Sequence, residues 1–483
     1  MKILLASSEA HPYSKTGGLA DMAGALAREL ARSGNTVGLV TPLYGRIHER
    51  FPEMTRLDWY MNLPLGSRWL QAEVWTLQPV PGLTVYFIAQ PELFGRPGVY
   101  SERGNDYADN AERFIFFSKA VAHLARYLPW QPEVVHVHDW QASLVPLLML
   151  HQKLWEGWTE IPRTVLTIHN LAYQGVFPAA KYALTNLPPD YFNLHGAEFY
   201  GSLNCLKAGI VYADVITTVS PRYAREITTP EQGDGLDDIL RRRQNALYGI
   251  LNGVDYEEWN TTSNPFIKHP YSARNLSGKA EDKLALQAEL GLPVDKATPL
   301  FGSITRLAEQ KGLDIQLGAL EEMLSTDMQF CLLGSGWDGY EKAYRKLLSR
   351  HPGKVSVRIG FDQALSHRIE AGCDFFLMPS RFEPCGLNQM YSLRYGTVPI
   401  VRTTGGLDDT VVDISEDSER ADGIKFIEYS ARALAKGMRK ALVLYGEPKL
   451  LQHYRRNGMK ADFSWQRTVG RYEEIYRASV ARA

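Results

Sequence analysis

Cysteine is scarce and unpaired in this sequence. Cys205, Cys331, Cys373 and Cys385 are the only four in 483 residues, and no two share the short spacing of a metal site or a redox motif. Reduced thiols are expected, and zinc, a disulfide scaffold and thiol redox chemistry are set aside. Net charge is also missing. With 53 Lys plus Arg against 54 Asp plus Glu, the chain has no global field to attract nucleic acid or an anionic membrane. No apolar run is long enough to span a bilayer, and the run Met1 to Ala6 is too brief for the apolar region of a signal peptide. A cytoplasmic protein with neither nucleic-acid nor membrane partners is expected.

Several nucleotide motifs are absent or incomplete. Walker A fails because Gly278 and Lys279 are followed by Ala280, and Lys311 lacks the preceding glycine pattern. Gly334, Gly336 and Gly339 match the dinucleotide fingerprint GxGxxG. The region about 20 positions on, where an acid should hold the ribose, reads HPGKVSVRIG and has none, which disfavours a nicotinamide cofactor. No Asp-x-Asp pair occurs anywhere, so the metal clamp of many nucleotide-sugar enzymes is missing too. No metal and no cofactor are expected.

What is present is a near-repeat. TGGLAD at Thr16 to Asp21 and TGGLDD at Thr404 to Asp409 each open an expected helix. Paired glycines free the backbone for close approach and leave the first helical N–H groups unpaired, so each loop can receive a phosphate or a developing oxyanion. Between the two copies, apolar β-rich stretches alternate with helical patterns: KILLAS, TVGLVTP, TVYFIA, EVVHVHD, TVLTIHN and DVITTVS, then, after LNGVD at Leu251 to Asp255, PLFGSIT, QFCLLG, VSVRIG, DFFLMPS and TVPIVRT. This predicts an α/β chain of two doubly wound parallel-sheet domains. Ligands of such sheets bind beyond the carboxyl ends of strands, and the polar candidates lie there: Lys15, His138 with Asp139, His169 with Asn170, Arg306 with Lys311, and Glu383.

The runs KTGGLADMAGALA, HVHDWQASLVP, TIHNLAYQGVFP, LKAGIVYADVITTVSPRYAREI, GILNGVDYEEWN, ITRLAEQKGLD and MPSRFEPCGLNQMYSLRYGTVPIVRTTGGLDDTV closely resemble bacterial glycogen synthases and plant starch synthases. The resemblance covers essentially the whole chain. It implies a retaining GT-B glycosyltransferase, with two Rossmann-like domains facing across a cleft. Such an enzyme moves glucose from ADP-glucose to the non-reducing end of an α-1,4-glucan such as glycogen. The domains would be 1–250 for the glucan acceptor, joined by a returning helix at 463–483 with apolar Val469, Tyr472, Ile475 and Tyr476, and 251–462 for the donor.

A diphosphate leaving group needs a metal or fixed cations. Arg306 and Lys311 can supply the charge, and the resemblance assigns them to the donor diphosphate. It also places His169 against the transferred glucose, Asp139 on sugar hydroxyls or on that histidine, and Glu383 in the donor site. Lys15, Gly17, Gly18, Asp21, Asn170, Cys385, Gly386, Leu387, Thr404, Gly405 and Gly406 become expected substrate contacts. Gly360 and Phe361 match the segment on the donor base, usually with Tyr in place of Phe. Many retaining relatives carry a second Glu where this chain has Tyr391. Two alternatives stay open: a UDP-glucose-using glucosyltransferase, and a relative that binds nucleotide sugar without transferring it.

Overall fold

The computed structural model describes residues 1–45, 47–102 and 104–481. It divides into two compact units. The first holds Met1–Val219, Ala224–Ile250 and the C-terminal helix from Trp465; the second holds Ser220–Tyr223 and Leu251–Ser464. That helix runs Trp465–Val480, starting two residues after Phe463. Phe463 and Ser464 stay with the second unit because Val254 donates its N–H to the Phe463 carbonyl at 2.7 Å and bridges to Ser464. Arg482 and Ala483, within the helix expected from sequence, lie outside the described residues.

The first unit is built on a nine-stranded sheet in the order Leu247–Gly249, Val215–Thr218, Arg163–Ile168, Val134–His138, Lys2–Ala6, Thr36–Pro42, Leu83–Ala89, Arg68–Val80, Thr55–Leu65. The strands up to Leu83–Ala89 are parallel. Lys2–Ala6 is buried at every position after Lys2, which is why Ile3 to Ala6 reads as an uninterrupted apolar run and not as an alternating one. The last two strands form an antiparallel hairpin turning at Gly66, absent from the strands expected by sequence. Its outer strand alternates between exposed and covered positions, the mark of a sheet edge with one wet face.

A six-stranded sheet, all parallel, builds the second unit: Val355–Ile359, Gln329–Gly334, Leu300–Ile304, Phe375–Met378, Val398–Arg402, Ile424–Phe426. Successive side chains feed opposite layers. Phe375 and Leu377 join the core with Phe301, Leu320, Ile400 and Met438, while Phe376 faces Leu286, Ile369 and Cys373. Each such buried side chain contributes about 1.5–3 kcal/mol relative to exposure. In both units the chain winds outward from a central strand, returns, and winds the other way. The reversal falls between Lys2–Ala6 and Val134–His138 in the first unit, and between Leu300–Ile304 and Phe375–Met378 in the second. A crevice outside the carboxyl ends opens at such a reversal. Among the described residues no helix is long and apolar enough to cross a membrane.

Candidate active site

Lys15 follows the central strand of the first unit, on a loop fastened by a residue that the sequence did not single out. Glu9, 3% exposed, accepts the Thr16 N–H, the Thr16 hydroxyl at 2.7 Å, the Gly17 N–H at 3.3 Å and the Tyr100 hydroxyl at 2.8 Å. A buried carboxylate is costly unless it is bonded in this way. The available signal was a lone acid just after a buried strand and before Gly-Gly. Gly17 caps the helix Gly18–Arg32 with no side-chain cap bond, and a Cβ at Gly17 or Gly18 would meet nothing within 4 Å. Lys15 Nζ lies 2.8 Å from Asp21 Oδ1 in an exposed ion pair.

Across the reversal, Asp139 follows Val134–His138 and His169 follows Arg163–Ile168. Asp139 adopts φ 54°, a left-handed conformation rare outside glycine. That turn lets its Oδ1 accept the backbone N–H of His169 at 2.7 Å, so it orients the histidine through the main chain and not through the ring. Burial pushes the Asp139 carboxyl up to about 7, against the lowering effect of that N–H bond. Burial takes the His169 imidazole down to about 3, leaving it neutral at pH 7. Its Nε2 lies 3.1 Å from Nδ1 of fully buried His138. Asn170, half-buried beside it, turns its Oδ1 onto the Ala172 N–H at 3.1 Å.

In the second unit, Arg306 and Lys311 follow the central strand and Glu383 follows the strand across the reversal. Lys311 Nζ donates to Glu383 Oε2 at 2.7 Å, and the Ser380 hydroxyl donates to the same oxygen at 2.9 Å. Two links hold them in register: Arg381 N–H to the Gln310 carbonyl at 2.8 Å, and the Gln310 side chain to the Phe382 carbonyl at 3.3 Å. Gly312, at φ 69°, allows this approach, since a Cβ there would sit 2.0 Å from the Pro379 oxygen. Arg306 is exposed, and its guanidinium forms no hydrogen bond or ion pair among the described residues. Two of the three GxGxxG glycines, Gly334 and Gly336, prove to serve this loop. Cβ atoms at Gly334 and Gly336 would strike the carbonyl oxygens of Thr305 and Leu307; alongside, the Thr305 and Leu307 N–H groups donate to the Leu333 and Ser335 carbonyls, and the Leu307 carbonyl accepts the Trp337 N–H.

The remaining expected contacts divide into open and packed positions. Gly360 has φ 141° with clear space around it, and the Phe361 ring beside it is 89% exposed. Cys385 is buried, its thiol pushed up to about 12 by that burial, while Gly386 takes φ 72° and Leu387 caps the helix Asn388–Arg394. The second hexapeptide differs from the first and corrects the expectation of two like loops. A Cβ on Gly405 (φ 44°) would lie 2.0 Å from the Glu383 oxygen, one on Gly406 would lie 2.0 Å from the Cys385 oxygen, and Gly406 N–H donates to the Glu383 carbonyl at 3.1 Å. Thr404, Gly405 and Gly406 are buried and brace the Glu383 loop. Tyr391 stacks face to face on Trp259, ring centres 3.6 Å apart, and Trp259 stacks on His367 at 4.1 Å, so this position packs the core wall. Among the described residues no group of three or more His, Cys, Asp or Glu is arranged to hold a metal ion.

Comparison with known proteins agrees with this architecture. Residues 2–242 match the family described as starch synthase catalytic domain, and residues 289–461 match glycosyl transferases group 1. Proteins named glycogen synthase from Anaeromyxobacter dehalogenans (strain 2CP-C) and Myxococcus xanthus (strain DK1622) are both 47% identical to it, the first over 99% of each chain and the second over 100% of each. The solved catalytic domain of starch synthase IV from Arabidopsis thaliana, bound to ADP and acarbose, matches with a TM-score of 0.88 at 32% identity over 99% of each chain. Sucrose-phosphate synthase from Thermosynechococcus elongatus, at 18% identity and a TM-score of 0.63, shares the fold alone. With two reversing sheets of GT-B type, each parallel at its centre, and relatives this similar from end to end, the chain belongs to the glycogen synthase and starch synthase family of glycosyltransferases.

Proposed function

We propose that this glycosyltransferase takes ADP-glucose as donor and extends the non-reducing end of an α-1,4-glucan, with retention and without a metal. The observation that carries the donor site is the charge set at the reversal of the second sheet: Arg306 unpaired, and Lys311 aimed by a nearly buried Glu383. Breaking the bond between the sugar C1 and the diphosphate oxygen leaves negative charge on that oxygen. Fixed cations that need not reorganise stabilise it most. Phe361 stacks on the base, and the open Gly17–Gly18 helix start with Lys15 and Asp21 receives polar groups of the substrates. His169, Asn170 and Asp139 serve the transferred sugar.

Retention follows from a front-face displacement in this reading. Glu383 commits Oε2 to an ammonium and a hydroxyl, which makes it a poor nucleophile, while Oε1 is left for a sugar hydroxyl. The leaving phosphate accepts the proton of the attacking acceptor hydroxyl. Support also comes from a relative at 32% identity whose structure carries ADP and acarbose. The test is labelled-glucose incorporation into glycogen with ADP-glucose and UDP-glucose side by side, with and without EDTA. Transfer from ADP-glucose, unaffected by EDTA, is expected. Preference for UDP-glucose overturns the donor assignment, loss with EDTA overturns metal independence, and binding without transfer makes the chain a non-catalytic relative.

A further inference from the structure

His169 stands at the head of a row of imidazoles. Behind it lies His138, fully buried, with Nδ1 at 3.1 Å from His169 Nε2. Behind His138 lies His136, ring centres 4.2 Å apart. The His136 ring is held at both ends, with Nδ1 2.7 Å from the Tyr476 hydroxyl of the C-terminal helix and Nε2 2.6 Å from the Thr167 hydroxyl. His138 is thus wedged in place, yet its own Nε2 is buried with no partner. Burial holds all three rings well below the usual histidine range, so each carries one ring proton at neutral pH.

Only one arrangement of those protons avoids a buried, unpaired N–H. A proton on His138 Nε2 would be an orphaned donor, which is rarer and costlier in a protein interior than an unused lone pair. The proton therefore sits on His138 Nδ1 and is donated to His169 Nε2. His169 Nε2 must then be an acceptor, and its proton sits on Nδ1, which forms no hydrogen bond among the described residues. We infer that His138 is a positioning residue that fixes His169 as the Nδ1–H tautomer, so that a hydroxyl of the transferred sugar meets a hydrogen-bond donor and not a lone pair. This rests on the proposed place of His169 at the sugar.

The experiment combines imidazole ¹H–¹⁵N spectra of the full-length protein, labelled at histidine, with kinetics of three variants. His169 is assigned by loss of its signal in His169→Gln. The wild type is expected to show His169 protonated at Nδ1. His138→Leu keeps the volume and removes the donor. It is expected to mix the His169 tautomers and lower kcat about tenfold or more while the donor KM moves less than about twofold, the pattern of a lost orienting partner. His138→Asn, whose amide can donate from near the Nδ1 position, is expected to restore both the tautomer and most of kcat. An Nε2–H tautomer in the wild type, or an unchanged kcat and tautomer in His138→Leu, overturns the inference. The wild-type spectrum decides even where His138→Leu fails to fold. Normal turnover in His169→Gln would instead remove His169 from the proposed sugar site, with the tautomer result still judging His138.

Discussion

Lys311 Nζ and Glu383 Oε2 lie 2.7 Å apart, the lysine side chain 19% and the glutamate side chain 8% exposed. A carboxylate so placed does two jobs. It cancels part of the desolvation of the lysine, and it limits the ammonium to a narrow range of directions. In the proposed reaction a leaving diphosphate would compete with Glu383 for Lys311 and would not have to recruit it from solvent.

Replacing Glu383 by Gln keeps the shape and removes that restraint. A hydrogen bond to a charged group is worth about 1.5–3 kcal/mol, so kcat should fall about tenfold to a hundredfold or more. Azide should restore nothing. Steady-state kinetics with product-anomer analysis by NMR checks both points, and an azide-dependent product of inverted configuration would make Glu383 a nucleophile and end the front-face reading.

Arg306→Ala and Lys311→Ala each remove a fixed cation. A turnover loss of about a hundredfold or more is expected for each, on the scale of ~3 kcal/mol for a preorganised donor. Exposed Arg306 leaves no buried partner behind, so its variant should melt like the wild type. Lys311→Ala strands the Glu383 carboxylate and should melt lower. Initial rates beside thermal unfolding separate the two, and near-normal rates in both variants would sink the charge clamp.

Among the described residues the Lys15 side chain is bonded only to Asp21, in an exposed pair, and such pairs contribute little to stability, about 0–1 kcal/mol. The lysine is therefore available to a substrate anion at small cost. Lys15→Ala should leave the melting temperature unchanged and raise the donor KM about tenfold, one charge-assisted contact. Lys15→Arg should recover part of it, since a fork-shaped head does not replace a compact ammonium. An unchanged KM in Lys15→Ala would reduce the first Gly-Gly loop to a turn.

Strand ends and the polar residues beyond them were legible because strands covered on both faces read as unbroken apolar runs, and Ile3 to Ala6 and Phe375–Met378 are such runs. The hairpin at Thr55–Val80 was not, because one wet face breaks the run into alternation. Glu9 carried only a faint local signal, for another reason. Its partners include Tyr100, 91 positions away, and no local pattern records that meeting. His138 lay in plain sight on the rim, but its distance to His169 comes from neighbouring parallel strands in register. The echo of TGGLAD in TGGLDD misled, since identical glycines serve an open helix start in one place and a backbone crossing in the other.

Asp139 carries a pH signature. Its folded pKa is raised from 3.8 to about 7 by burial. Between those values the folded state binds the proton and the unfolded chain does not, so this group's contribution to stability falls as pH rises from about 4 to 7. Asp139→Asn keeps an oxygen for the His169 N–H and carries no charge. Relative to wild type, it should be more stable at pH 8.5 than at pH 5 by about 1–2 kcal/mol, a value discounted for partial exposure. Melting temperatures of both proteins at the two pH values provide the check. A difference that does not change, or that changes the other way, means Asp139 is ionised throughout.

The two Gly-Gly copies offer the sharpest contrast, because the same Gly→Ala change meets opposite surroundings. Gly17 has an extended backbone at φ −155°, which any residue adopts, and a new Cβ there meets nothing within 4 Å. Gly17→Ala should therefore fold and melt normally, and any loss should appear as weaker substrate binding above the helix start. Gly405 sits at φ 44°, where an alanine costs about 1–2 kcal/mol, and its Cβ would lie 2.0 Å from the Glu383 carbonyl oxygen. The backbone at Glu383 must then move, which carries the carboxylate away from Lys311. Gly405→Ala should lower the melting temperature by several degrees, about 2–4 °C per kcal/mol in a unit of this size, and lower kcat along with it. Melting curves and donor kinetics of the two variants decide the matter. Equal loss of stability in both would mean that the first loop is packed as tightly as the second, and that no space is held open for substrate above Gly17.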